Sequence, residues 1–166
     1  MNQYIGTKVI NAKPMNRLEY NQFRGWVLPD DENGTDEGFL VEYVDGGKAN
    51  TTEFDGYVSW SPKDVFERAY KESGNLSFGD AIEFMNMGYK VARSGWNGKD
   101  MWITIGNGGI VKSEDFWNKH TKDFAEVNGG DAEVLPYLIM KTADNKILMG
   151  WLASQSDILA NDWEVL

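Results

Sequence analysis

The 166-residue sequence contains no cysteine and only one histidine. Without cysteine, disulfides, thiolate nucleophiles and zinc-thiolate sites are excluded, and a reducing compartment is favoured. The single histidine, His120, lies in the polar stretch NKHTKD, which is typical of a solvated surface. Histidine-based metal clusters and Ser-His-Asp triads therefore have no support in this sequence.

Long apolar runs and an excess of positive charge are also missing. No apolar run approaches the roughly 18 to 20 residues that cross a bilayer, and MNQYIGTKVI lacks the features of a signal peptide. We therefore expect a cytoplasmic protein with no membrane partner. The net charge is −10, and because phosphate backbones attract basic surfaces we expect no nucleic-acid partner. A small anionic ligand remains compatible with this charge, since a few N–H groups and one or two cations suffice.

Motifs for ions and nucleotide cofactors fail on spacing. The acidic run Asp30-Asp31-Glu32 lacks the alternating Asp or Asn before a glycine that a calcium loop needs. Gly106-Asn107-Gly108-Gly109 satisfies neither the dinucleotide fingerprint nor the P-loop pattern. Carboxylates are abundant, but no spacing singles out an acid–base pair. We expect no metal and no cofactor, and enzymatic chemistry has little support.

The sequence is instead rich in aromatic and neutral polar side chains. It contains seven tryptophans, several of them close to Asn, Gln, Ser or Thr. Stacking faces combined with neutral hydrogen-bonding groups suit the recognition of a flat heterocycle joined to sugars.

Short segments of strand and helix character alternate along the chain. They predict an α+β fold of small antiparallel sheets with short flanking helices, in two small domains. The boundary is expected near Glu72-Ser73-Gly74-Asn75, where small polar residues separate two helical segments. We expect an N-terminal α+β module of unknown role, residues 1–73, and a second domain, residues 75–166.

In the N-terminal module we expect three strands: Tyr4–Ala12, which Pro14 closes, the apolar-rich segment Phe39–Val44, and Gly56–Trp60. Asn16-Arg17-Leu18-Glu19 has the form of a capping box and predicts a helix that ends at Phe23. Ser61 as N-cap, with Pro62 as the first helical residue, predicts a second helix.

In the second domain, two S-x-x-D patterns predict helix starts, at Ser77 with Asp80 and at Ser154 with Asp157. The strand candidates are Tyr89–Arg93, Met101–Ile105, Pro136–Lys141, Lys146–Leu152 and Trp163–Leu166. Asn97-Gly98 predicts a tight hairpin turn between the first two of these strands. Residues 106–136 form a polar insertion, helical around Glu114–Phe124, which we expect to be either functional or mobile.

Three ordered blocks of the second domain carry a resemblance. They are Phe78–Ile82 with KVARSGWNGK at Lys90–Lys99, PYLIMKTAD at Pro136–Asp144, and GWLASQSDILANDW at Gly150–Trp163. Together they resemble the second Thoeris anti-defence family, a set of small phage-encoded proteins. The resemblance covers about residues 75–166. The first domain resembles a small module found upstream in other phage proteins, without a secure function.

The resemblance implies a sponge that is not an enzyme. Such proteins bind a nucleotide-derived immune signal made by a bacterial TIR-domain enzyme and hold it without cleavage. The signal is a cyclic ADP-ribose isomer with a glycosidic link between its riboses, and some members also bind cyclic dinucleotides at a separate site. Homotetramers with ligand pockets between protomers are implied as well. The long 106–136 segment departs from the family and bears on ligand identity.

For such a ligand, the adenine needs a stacking face, which Trp96 or Trp151 could supply unless they are core residues. Asn97 could bind ribose or adenine edges, or serve only as a turn residue. Gln155 has no evident structural role, so it is a better candidate for a pocket residue than its neighbours Ser154 and Asp157.

The pyrophosphate needs N–H donors and a cation. Gly95 and Gly98 permit close backbone approach, and the nearby cations are Arg93, Lys99 and Lys141, although Arg93 could instead pair with a structural carboxylate. Two further groups of candidates also have a structural explanation. Thr142, Ala143 and Asp144 form at minimum a hairpin tip, and Ser154 and Asp157 form at minimum a capping pair. In either group the carboxylate, Asp144 or Asp157, could accept hydrogen bonds from ribose hydroxyls.

Two other function classes stay open. The protein could be a hydrolase that cleaves such signals with carboxylates. It could also be a phage structural or interaction module whose tryptophans lie in the core or at an interface.

Overall fold

The structure, a computed structural model, describes residues 1–2 and 6–166. Its five α-helices and three antiparallel sheets, counted over these residues, confirm the predicted α+β class. The chain forms two compact units, Met1–Lys71 and Glu72–Leu166. No helix in the described part of the chain is long and apolar enough to span a bilayer.

Unit 1 is a three-stranded antiparallel sheet with two helices. Its elements are β1 (Ile10–Pro14), α1 (Arg17–Arg24), β2 (Gly38–Tyr43), β3 (Tyr57–Pro62) and α2 (Lys63–Ala69). The central strand, β2, pairs with both neighbours. Tyr20 from α1 is buried against Leu40 and Val58 of the sheet. The predicted capping box is confirmed, because Asn16 and Glu19 exchange side-chain and backbone hydrogen bonds.

Two predictions in unit 1 were wrong. The first strand begins at Ile10 rather than Tyr4 and continues through Pro14; Tyr4 itself lies outside the described residues. Proline is accepted there because β1 is an edge strand. Ser61 does not cap α2, since it pairs with Phe39 in the β2–β3 ladder and Pro62 takes the cap position without a side-chain hydrogen bond. Strand pairing therefore prevailed over the local capping signal.

Unit 2 is built on a five-stranded antiparallel sheet in the order β10-β4-β5-β8-β9. In chain order its elements are α3 (Phe78–Asn86), β4 (Val91–Arg93), β5 (Trp102–Gly106), β6 (Gly109–Lys112), α4 (Lys119–Val127), β7 (Asp131–Val134), β8 (Tyr137–Lys141), β9 (Ile147–Met149), α5 (Gln155–Ile158) and β10 (Trp163–Val165). The predicted helix starts at Ser77 and Ser154 are confirmed as capping boxes.

The core of unit 2 lies between α3 and the sheet. Val91, Ile103 and Met140 are aligned across three neighbouring strands and are almost completely buried. Ala81 and Met85 of α3 belong to the same cluster, as does Trp163, which is fully buried. The apolar stripe of the helix thus covers one face of the sheet.

The insertion is an ordered substructure. Strands β6 and β7 pair as a two-stranded sheet, and α4 lies between them in the chain with Ala125 buried. The predicted helix was placed too early: α4 begins after Asn118, whose side chain accepts hydrogen bonds from the N–H groups of His120 and Thr121. Short strands of mixed polarity gave no periodicity from which this arrangement could be predicted.

Ile103→Ala should destabilise unit 2 by about 2 to 5 kcal/mol, because it leaves a cavity in a fully buried row. The matched change Ile110→Ala, at a residue that is 69% exposed, should cost less than about 1 kcal/mol. Urea unfolding of both variants measures the difference. Equal losses would contradict the assignment of the core.

Candidate ligand-binding site

Residues 94–101 form a broad loop between the antiparallel strands β4 and β5. The prediction of a tight hairpin turn at Asn97-Gly98 was wrong, because β4 and β5 pair only at Val91 and Ile103 and leave eight residues to connect them. Of the non-glycine residues in this loop, Asp100 has a positive φ, 55°. The loop is therefore shaped by contacts with other segments rather than by a two-residue turn.

Arg93 anchors the base of this loop between two carboxylates. Its Nε donates to Asp162 Oδ1 at 2.7 Å, and its Nη1 donates to Asp157 Oδ1 at 2.8 Å. The backbone N–H of Gly95 donates to Asp162 Oδ2 at 2.9 Å. Arg93 thus pairs with structural carboxylates, the alternative left open by its position on a strand, and its charge is balanced inside the fold.

Trp96 links the loop to the core and to the segment before α5. Its ring meets Trp151 edge-on with centroids 6.0 Å apart, and Trp163 with centroids 5.4 Å apart. Its Nε1 donates to Asp157 Oδ1 at 3.0 Å. Trp96 and Trp151 are both half-buried and pack against the core cluster. Each therefore has a packing role and retains an exposed part.

Gly98 brings the loop against the β8–β9 turn. A Cβ on Gly98 would lie 2.7 Å from the Cβ of Ala143, so only glycine fits at this contact. Within the turn, the Asp144 carboxylate accepts from Thr142 Oγ1 and forms an ion pair with Lys146. The hydrogen bonds from Lys146, which has the larger effect, and from Thr142 lower the pKa of Asp144.

Asp157 joins α5 to the same network. Its Oδ2 accepts from the N–H and the Oγ of Ser154, at 3.0 and 2.6 Å, which completes the capping box. Burial by itself would raise the pKa of Asp157, but the hydrogen bonds from Ser154, Trp96 and Arg93 lower it to about 2. The carboxylate is therefore ionised at neutral pH.

The predicted ligand-binding residues thus fall into two groups. Contacts within the fold join Arg93, Gly95, Trp96, Gly98, Thr142, Ala143, Asp144, Trp151, Ser154 and Asp157. Asn97, Lys99 and Gln155 lie on the same segments and are exposed, and no side-chain hydrogen bond or ion pair occupies them in the described chain. Lys141, at the end of β8, is half-buried. The polar side chains available to a ligand are therefore those of Asn97, Lys99, Gln155 and Lys141.

An apolar groove of about 390 Å³ lies next to this network. It is lined by Ile105, Pro136, Tyr137, Leu138, Gly150, Trp151 and Leu152. Sequence reasoning had selected only Trp151 from this set. It also missed Asp162, whose contact with Arg93 depends on the pairing of β10 with β4 and has no local sequence signal.

Within residues 1–2 and 6–166, no group of three or more His, Asp or Glu side chains is placed so that it could hold a metal ion. His120 is exposed on α4.

Comparison with known proteins identifies the family. Residues 76–166 match the model of the Tad2-like family, described as the Thoeris anti-defense 2-like domain. The chain belongs to the Thoeris anti-defense 2-like family. The resemblance carried by the three sequence blocks is thereby confirmed. A curated member of the same group, Thoeris anti-defense 2 from Bacillus phage SP01, is 38% identical over 91 residues, which cover 55% of this chain and 94% of the phage protein.

Asp157→Asn should destabilise unit 2 at neutral pH and much less in acid. The folded pKa of about 2 is below the ordinary 3.8, so the ionised carboxylate stabilises the fold above pH 4, and this contribution is lost as the pH falls through 2. The shift corresponds to about 2 kcal/mol. Urea unfolding of wild type and variant between pH 6 and pH 2 measures the gap. A gap independent of pH would contradict the assigned hydrogen bonds.

Proposed function

We propose that unit 2 of this Thoeris anti-defense 2-like protein binds a cyclic nucleotide signal of the Thoeris response and holds it without cleavage. The ligand we favour is a glycosidic cyclic ADP-ribose isomer, and cyclic dinucleotides are a further class. The observation that carries the proposal is the meeting of three segments, residues 93–99, 142–144 and 151–157: Trp96 contacts Asp157 and Trp151, and Gly98 lies against Ala143. Family membership supports the anti-defence role.

The base and sugars of such a ligand find suitable groups on these segments. The half-exposed rings of Trp96 and Trp151 offer stacking faces, and stacking of a base on an aromatic ring is worth roughly 1 to 3 kcal/mol. The exposed amides of Asn97 and Gln155 can donate to and accept from ribose hydroxyls and adenine edges.

The cations proposed to bind the phosphates differ from those expected from the sequence, because Arg93 is no longer among them. Arg93 faces two carboxylates, so its role in this proposal is to position the loop. The pyrophosphate then relies on Lys99 and Lys141, together with backbone N–H groups around Gly98, since the N–H of Gly95 already donates to Asp162. Asp157 is held by Arg93, Trp96 and Ser154, which also makes it a positioning residue.

The oligomeric state is part of the proposal. In a single chain the groove beside Trp151 is open to solvent and mostly apolar, and a ligand with two ribose rings and a pyrophosphate needs more enclosure. A homotetramer with pockets completed by neighbouring protomers, as the family resemblance implies, would supply it.

Incubation with the cyclic signal, followed by heat denaturation and mass spectrometry of the released small molecule, tests the sponge against the hydrolase. The proposal expects recovery of the unaltered signal in amounts close to those bound. A chemically altered product would establish the hydrolase. If neither cyclic ADP-ribose isomers nor cyclic dinucleotides shift the melting temperature, the structural or interaction module is supported instead.

Asn97→Ala and Gln155→Ala should each weaken binding of the cyclic ADP-ribose isomer about tenfold, the equivalent of one hydrogen bond to a charged or well-ordered group. Their melting temperatures should stay near that of wild type, since neither side chain is used by the fold. Isothermal titration and thermal unfolding measure the two effects. Asn86→Ala, at an exposed asparagine on α3, is the matched control. Unchanged affinity with a large loss of stability would return Asn97 and Gln155 to structural roles.

A further inference from the structure

Strand β9 leaves an apolar edge on the sheet of unit 2. It is the last strand in the order β10-β4-β5-β8-β9, and it pairs only with β8. Its three residues, Ile147, Leu148 and Met149, are 58%, 45% and 50% exposed. The strand contains no charge, no proline and no bulge, which are the usual devices that protect an edge from pairing with another strand.

The buried core stops at this edge. One row of side chains crosses the sheet in register, from Val91 through Ile103 and Met140 to Leu148. The first three residues are at most 5% exposed, whereas Leu148 is 45% exposed. Because directly opposite residues of an antiparallel pair share one face, Leu148 lies on the same covered face as Met140. The row ends without a neighbour.

The backbone of β9 is also oriented for a partner. The N–H of Thr142 donates to the carbonyl of Lys146, and the N–H of Gly150 donates to that of Leu138, each at 2.9 Å. Hydrogen-bonded and non-hydrogen-bonded pairs alternate along an antiparallel ladder, so Leu148 bonds inward to Met140. The N–H and C=O groups of Ile147 and Met149 therefore point away from β8.

We propose that β9 pairs antiparallel with β9 of a second copy of this chain, across a two-fold axis at Leu148. This register sets Leu148 opposite its own counterpart and Ile147 opposite Met149. The outward N–H and C=O groups of both strands then meet as two hydrogen-bonded pairs. No charge faces another charge, and the buried row continues into the second sheet. A self-complementary strand fits a second copy better than an unrelated partner, because an isologous contact uses the same surface twice.

The pairing has a consequence for the candidate site. In the same register, Lys146 and Asn145 of the second copy lie opposite Gly150 and Trp151, two of the residues that line the apolar groove. The β8–β9 turn of each copy thus borders the groove of the other. The inference names one contact of the assembly that the proposed function includes, but it rests on the edge itself and holds whichever signal is bound.

A single cysteine tests the register, because the chain contains none of its own. At the non-hydrogen-bonded central pair the two Cα atoms are about 4.5 Å apart, within the range that a disulfide spans. Leu148→Cys should therefore form a covalent dimer under mild oxidation without ligand. Ile147→Cys should not, because its own counterpart is displaced by two residues along the strand. Val127→Cys, at a residue that is 90% exposed on α4, controls for random collisions.

Leu148→Lys provides the second measurement, since it sets two ammonium groups opposite each other on the axis. Light scattering should show the dissociation constant of the assembly raised at least about tenfold, while Val127→Lys leaves it unchanged. A monomeric wild type, crosslinking of Leu148→Cys no faster than that of Val127→Cys, or an assembly unaffected by Leu148→Lys would each overturn the pairing. Signal retention is measured separately, so a protein that dimerises through β9 but binds no signal would contradict only the proposed function.

Discussion

The candidate site of unit 2 depends on one buried carboxylate, that of Asp157. One of its oxygens accepts from Arg93 and Trp96, and the other caps α5 through Ser154. Its backbone carbonyl also accepts from the indole of Trp163, the largest fully buried side chain. A strand, a long loop, a short helix and the core are therefore tied to a single residue. A buried charge is tolerated only when it is paired and hydrogen-bonded, and here all these conditions are met.

The sequence-based expectations succeeded where the physical cause is local. The capping boxes at Asn16, Ser77 and Ser154 depend on groups three residues apart, and each is present. They failed where the cause is distant. The Asn97-Gly98 turn was overridden by contacts with Asp162 and Ala143, which come from other parts of the chain. A turn propensity of this kind is weaker than several tertiary contacts acting together.

The candidate site shows the same division. The residue types and their order along the chain were enough to recognise the family, and they brought Trp96 and Asp157 into consideration. Which groups are occupied by the fold and which remain available could not be predicted, because occupancy depends on strand pairing. Arg93 illustrates the point: the pairing of β4 with β10 brings Asp162 to it and removes a cation from the set that could meet phosphate.

The ordered insertion leaves and rejoins the sheet at one point, because Gly106 at the end of β5 is directly opposite Tyr137 at the start of β8. The register of these two central strands is therefore independent of what connects them. The entropy of closing a connection changes only slowly with its length, so residues 107–135 can lengthen, shorten or be exchanged without shifting a strand that carries the candidate site. An engineered domain or reporter could therefore be introduced at this position.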